Sequence, residues 1–538
     1  MRRAFLLAPV LLAIGALSAA QGATDAREGG IFRVSFQGSS SLQAFDHVDP
    51  ALAHSRESWT LLDTVCARLM RYRDLPPPRG YELVPEVAVT PPTVSRDGRT
   101  WAFQLRTGFR FSNGERVDAA AFAQAIHRTM APGVDSPAWL YTQAIAGADA
   151  VRNGRARRAA GVTARGNTLI VRFTREVRNF AAWTTMPFFC AVPPGLPPDP
   201  EGVRSFPGAG PYYVREYRPN QRIVIRRNPY YGGSRAHHVV GFDVDLTADS
   251  PEAVLDRVEA GRADWGYTPP APAVAPSRGL IGKFGLNHSR FYVTPGLGMW
   301  LFVLNSSRPL FHANPKLRLA VNLALNRTYF VIRTAELPTD QLVPPLVQGF
   351  PDQLIYPPEG DVHRAQVLAD GNLRGKKAIL YTPESRVKIG AAQECAEQLE
   401  EIGLDVEIRP IAEFVTTSAY RGRLGNPDEP WDLALVLWNP DFVDPSSYVN
   451  LLLDAQSAGG TNLARFDEAP YIDRMRRADR LQGAARKSAY AKLDLELGLN
   501  AAPAVPMGVL NEATFVSART GCLLLRPSLV LTTVCLKR

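Results

Sequence analysis

Residues 376–411 read KKAILYTPESRVKIGAAQECAEQLEEIGLDVEIRPI. An apolar run from Ala378 is followed by a stretch that places Ile389, Ala392, Cys395, Ala396, Leu399 and Ile402 on one face at helical spacing. Gly403 stops that helix, and a second strand-like run follows. Strand, helix and strand in this order form a βαβ unit, whose two strands run parallel through a right-handed crossover. Residues 431–450, WDLALVLWNPDFVDPSSYVN, supply a further strand of the same sheet, because Leu433 to Trp438 carry no charge. The fold class is therefore α/β.

That second stretch raises a chemical question. The apolar run ends at Asn439 and Pro440, and Asp441 follows at once. A bare carboxylate is costly to bury, so either water or a cation must reach it. The competing reading is structural: Asp441, or Asp444 before Pro445, caps a turn or the helix that follows. Trp438 is open to two readings as well, as core or as the wall of a ligand pocket.

The chain has 538 residues, which predicts two to four structural units. Hydrophobic residues make up 46% and charged residues 21%, the balance of an ordinary globular protein. MRRAFLLAPVLLAIGALSAAQGA opens the chain with two arginines, then an uncharged apolar stretch ending in small residues. This is the pattern of a signal peptide over residues 1–22, with cleavage after Ala20 or Gly22. No cysteine follows LSAA, so no lipoprotein attachment site stands there, and no later stretch reaches the ~20 apolar residues of a membrane span. The expectation is an exported, soluble protein, periplasmic or extracellular.

Formal net charge is +9, and +7 without Arg2 and Arg3. The basic residues are scattered, with small clusters at 155–158 and 474–480 and acids between them. Nucleic acid would require a concentrated basic face, so it is not expected as a partner. Of the five cysteines, Cys522 and Cys535 bracket a strand–turn–strand and are the favoured disulfide; Cys66–Cys190 is the second, weaker pairing, leaving Cys395 free. No GxSxG, HExxH, phosphate-binding loop or EF-hand occurs, and no Cys/His spacing suggests zinc. Among the histidines only His237 and His238 are adjacent, and neighbours on a strand face opposite ways. The sequence therefore predicts no catalytic residues, no metal site, no cofactor and no enzyme.

Composition marks crossings between units near the proline- and glycine-rich stretch 187–210 and at 268–276. Several blocks then resemble, in order, the extracytoplasmic solute-binding proteins of the peptide/nickel (family 5) class that feed ABC transporters. They are GGIFRVSF (29–36), LVPEVAVTPPTVSRDGRTWAFQLRTGFRFSNGERVDAAAFAQAIHR (83–128), GAGPYYVREYRPNQRIVIRRNPYYGG (208–233) and LNSSRPLFHANPKLRLAVNLALNR (304–327). The resemblance implies a two-lobed periplasmic binding protein fold of type II, in the large peptide-binding cluster, with a subdomain inserted in the first lobe. Its expected layout is lobe I at 30–50, the insertion at 51–188, lobe I again at 189–268, lobe II at 269–500 and a return to lobe I at 501–538.

The resemblance also implies a site. Asp441 falls where the family's peptide binders meet the ligand's terminal ammonium. Leu437, Trp438 and Asn439 would pair with an extended ligand backbone, as in strand addition. Ser39 and Ser40, within the Gln37–Ser41 loop, would line the first-lobe side. The expected partners are a peptide and an ABC permease in the membrane, with the protein a monomer. A nickel chelate, haem, an oligosaccharide or another amine-bearing solute is the alternative ligand; a secreted enzyme is a further alternative, and a peptide chaperone or signal-sensing receptor shares the same lobes.

Overall fold

The computed structural model describes residues 26–38, 45–266, 274–334, 336–347, 350, 353–412, 417–454 and 462–537. The signal-peptide reading and the placement of Ser39 and Ser40 lie outside these residues.

The βαβ unit forms as its pattern requires. Lys377–Pro383 and Asp405–Ile411 run parallel, with Lys377 opposite Asp405, and the Arg386–Glu400 helix connects them. Ser385 caps that helix by accepting from the Lys388 amide at 3.3 Å. Its buried face carries Ala391, Ala392, Cys395, Ala396 and Leu399, and Gly403, at φ +92°, ends the turn beyond it. Leu433–Trp438 lies on the other side of Lys377–Pro383, parallel to it, and is antiparallel to the long strand Phe291–Leu304. The sheet continues through Ala504–Phe515 to Leu337–Pro338, giving six strands.

A second, five-stranded sheet builds the first lobe. Its order is Trp265–Gly266, Ile31–Gln37, Gly241–Ala248, Arg222–Arg227, Tyr212–Arg218. Ile31–Gln37 buries Phe32, Val34 and Phe36 and presents Arg33 to the other face, the alternation expected of a sheet covered on one side. Tyr212–Arg218 and Arg222–Arg227 form a hairpin with Asn220 at φ +59° in its turn. The inserted subdomain carries a four-stranded antiparallel sheet, Thr93–Val94, Thr100–Gln104, Thr168–Arg172 and Val162–Arg165. Its Ala119–Thr129 helix is capped by Asp118, which accepts from Ala120 N at 2.9 Å.

Two expected boundaries shift. Strand Ala504–Phe515 does not open the return to the first lobe at 501. It pairs along Phe291–Leu304, from Ala504 opposite Val303 to Phe515 opposite Phe291, and so belongs to the six-stranded sheet for most of its length. Only at its far end does Phe515 pack with Phe291, Val258, Ala263 and Leu280, and Val516 bridges to Trp265 of the first-lobe sheet. Likewise, the Arg56–Val65 helix is not part of the inserted core that was expected from 51. Its Leu61, Leu62 and Val65 pack into the first lobe with Phe32, Ile223 and Phe242. Cys66 is bonded to Cys190 and Cys522 to Cys535, while Cys395 is a buried free thiol. No helix of the described residues is long and apolar enough to cross a membrane.

Candidate functional site

The lobes meet around the end of strand Leu433–Trp438. Burial along that strand explains its composition: Leu433 to Val436 are buried on both faces, Leu437 is half-buried, and the chain reaches the surface at Asn439. Asp441 stands just beyond, with its side chain 26% exposed. Two groups from across the cleft address its carboxylate. Tyr141 of the inserted subdomain donates its hydroxyl to Oδ2 at 2.5 Å. His54, on the approach to the Arg56–Val65 helix, places Nε2 3.7 Å from Oδ1. His54 is held beside Trp59 and Phe188, at ring separations of 6.1 and 6.4 Å.

Asn439 is met by Arg56, which donates to its Oδ1 at 3.3 Å. The same guanidinium forms an ion pair with Glu512 of the Ala504–Phe515 strand, whose side chain is 2% exposed. A close approach of backbone seats this group. A Cβ added at Gly298 would lie 2.2 Å from Asn439 Oδ1, so a larger residue where the Phe291–Leu304 strand passes would displace that side chain. The register of that strand against Ala504–Phe515 shifts between Pro295 and Met299, beside the same point. Glu57, next to Arg56, is pushed up to about 7 chiefly by burial, with Asp46 and Glu512 adding to the effect and Arg56 opposing it.

Further contacts join the two sides. The Val443 amide donates to Tyr72 Oη at 2.7 Å, Asn179 Nδ2 donates to Ser446 Oγ at 3.0 Å, and Arg480 pairs with Glu176 at 3.1 Å. Phe442 packs against Tyr141 and Trp183 at 6.2 and 6.4 Å.

Of the residues expected at the site, Asp441 and Asn439 come together at the cleft. Leu437 stands opposite Trp300 in the ladder and is half-buried. Trp438, open to two readings in the sequence, sits in the core here. It is 4% exposed, and its Nε1 donates to Ser447 O at 2.9 Å, so the ring is core and its polar tip is satisfied internally. The capping role belongs to Asp444, which accepts from Ser446 N at 2.9 Å at the start of the Pro445–Ser447 turn and pairs with Arg486 at 2.6 Å. Burial alone would raise the Asp444 carboxyl, and Arg486 reverses this and holds it below its ordinary range. Tyr141, His54, Arg56 and Glu512 gave no sign in the sequence, since no local spacing links them to Asp441 or Asn439.

The model of bacterial extracellular solute-binding proteins, family 5 Middle, matches residues 82–460. The periplasmic oligopeptide-binding protein OppA of Haemophilus influenzae is 25% identical over 433 residues, 75% of this chain and 76% of that protein. The oligopeptide-binding protein OppA of Bacillus subtilis is 23% identical over 390 residues, 68% of this chain and 69% of that one. Among solved structures, clavulanic acid biosynthesis oligopeptide binding protein 2 superposes with a TM-score of 0.84 at 20% identity, covering 95% of this chain and 96% of that one. The two lobes, the inserted subdomain and the family match over residues 82–460 lead to one conclusion: the chain belongs to the bacterial extracellular solute-binding proteins, family 5.

Proposed function

We propose that this protein is the substrate-binding component of an ABC importer and captures peptides between its lobes. The observation that carries this reading is the Asp441 carboxylate, set at the mouth of a buried strand and addressed from the opposite side by Tyr141 and His54. A carboxylate accepts at about four lone-pair sites, so a ligand ammonium joins Tyr141 there rather than replacing it. Charge-assisted hydrogen bonds of this kind are the stronger class, and the names of the oligopeptide-binding relatives support a peptide as the ligand.

The mechanism is physical. Ligand enters the open form, and contacts from both lobes favour the closed form because only that form makes all of them. The crossing strands Phe291–Leu304 and Ala504–Phe515 act as the hinge, bending where their register shifts near Gly296 and Gly298. The closed monomer, exported by its signal peptide, then docks on a membrane permease whose ATPase supplies the energy. Mass spectrometry of what leaves the gently purified protein on denaturation tests the reading. Recovered short peptides support it; a metal chelate, haem or a sugar in their place overturns it.

A further inference from the structure

The positive charge of the chain is concentrated in one part of the fold. Between Cys66 and Cys190, whose disulfide ties together the two ends of the inserted subdomain, stand eighteen arginines, no lysine and nine acidic residues. This segment carries +9, and the remainder of the chain, Arg2 and Arg3 included, balances to zero. Several of those arginines serve the fold. Arg128 pairs with buried Asp49, Arg68 with Asp63, Arg152 with Asp135 and Arg178 with Glu176. Arg155, Arg157, Arg158, Arg165 and Arg172 do not: all five are exposed, and none forms an ion pair among the described residues. From residue 150 to residue 175 the chain has no acidic residue to offset them.

The fold gathers these five along one edge of the four-stranded sheet. In Thr168–Arg172, Leu169 and Val171 are buried, so Thr168, Ile170 and Arg172 take the open face. Arg165 stands opposite Thr168 on that face, in the edge strand Val162–Arg165. The loop that carries Arg155, Arg157 and Arg158 leads into the same strand, and Arg172 N donates to Gly161 O at 2.7 Å where it arrives. The side chains between the arginines are Thr163, Thr168 and half-buried Ile170. A specific protein interface draws its energy from buried aromatic and arginine anchors seated in pockets, and single-stranded nucleic acid stacks its bases on exposed rings. This face has no ring to offer to either. A flat anionic surface asks only for charge, and each arginine held near one raises partition about fivefold.

We propose that this edge of the inserted subdomain docks on an anionic phospholipid bilayer, through Arg155, Arg157, Arg158, Arg165 and Arg172. The lipid contact stands without the importer reading; its use, which is to keep loaded protein at the membrane beside a permease, rests on that reading.

Vesicle sedimentation of the full chain tests the docking surface without any peptide ligand. The vesicles are phosphatidylcholine alone, or phosphatidylcholine with about one third phosphatidylglycerol. Two triple variants lose the same charge: Arg155→Gln, Arg157→Gln, Arg158→Gln at the proposed edge, and Arg204→Gln, Arg215→Gln, Arg262→Gln at exposed positions of the first lobe. Wild type should partition onto the anionic vesicles at least about tenfold more than onto the neutral ones, and the preference should weaken with added salt. The edge variant should lose at least about tenfold of that binding, and the first-lobe variant should keep most of it. Equal binding to both vesicles overturns the proposal, and so does an equal loss in the two variants, which would reflect net charge alone. Capture by immobilised polyglutamate with no binding to anionic vesicles also overturns it, in favour of an acidic protein partner. The peptide reading is untouched by each of these results.

Discussion

Tyr141 and Asp441 lie 300 residues apart in the chain and are joined by a hydrogen bond from phenol to carboxylate. It links the inserted subdomain to the second lobe at the point where a ligand ammonium is proposed to bind. Tyr141→Phe removes one donor to a charged acceptor, worth about 1.5 kcal/mol. Peptide affinity should fall about tenfold, and small-angle scattering at subsaturating ligand should show a smaller closed fraction. Unchanged affinity would mean the contact does not contribute to closure.

Arg56 and Glu512 form the second link across the cleft, and Glu512 is the buried partner. Removing one member of such a pair leaves the other charge uncompensated. Arg56→Gln should cost about 2–3 kcal/mol in denaturant unfolding, and the Arg56→Gln, Glu512→Gln double variant should cost less than the sum of the two single changes by at least about 1 kcal/mol. Strict additivity would contradict the pairing.

Asp494 is buried and accepts from the Leu342 and Val343 amides at 3.0 and 3.2 Å. Burial pushes its carboxyl up to about 7, those amides oppose the shift, and Asp340 adds to it. The folded state therefore holds this proton more tightly than the unfolded chain. Its contribution to stability is complete below the ordinary aspartate range and is lost as pH rises from about 4 to about 7. Relative to Asp494→Asn, the wild type should lose stability over that window, on the order of 4 kcal/mol. A difference between the two that does not vary with pH would contradict the assignment.

Cys395 is buried against apolar neighbours, and burial pushes its thiol up to about 12. A thiolate reagent should label no cysteine in the native oxidised protein, one in denaturant, and all five after reduction in denaturant. Three or more labelled sites in denaturant without reductant would show that a disulfide is not formed.

Local pattern carried much of the architecture. The Arg386–Glu400 helix and its flanking strands were legible because apolar residues repeat at 3.6 spacing between strand-like runs, with Gly403 as the stop. The Tyr212–Arg227 hairpin was legible from its turn at Asn220. Ala504–Phe515 reads equally well as a strand, but nothing in it names its sheet, because its partner Phe291–Leu304 lies over 200 residues away. The face taken by Trp438 was not legible for a related reason. A strand buried on both faces has no alternation to tell which face a ring takes, and only the bond to Ser447 settles it. Asp441 was visible as a carboxylate out of place, whereas Tyr141, His54 and Arg56 become partners only through the meeting of distant segments.

The most direct test of the central claim is a calorimetric comparison of trialanine with N-acetyl-trialanine on wild-type protein and on Asp441→Asn. Truncating one partner of a desolvated charge pair costs about 2–5 kcal/mol. Wild type should therefore bind the free-amine peptide at least about thirtyfold more tightly than the acetylated one, and Asp441→Asn should lose that difference. Equal binding of both peptides by wild type, or a preference that survives in Asp441→Asn, would contradict the account.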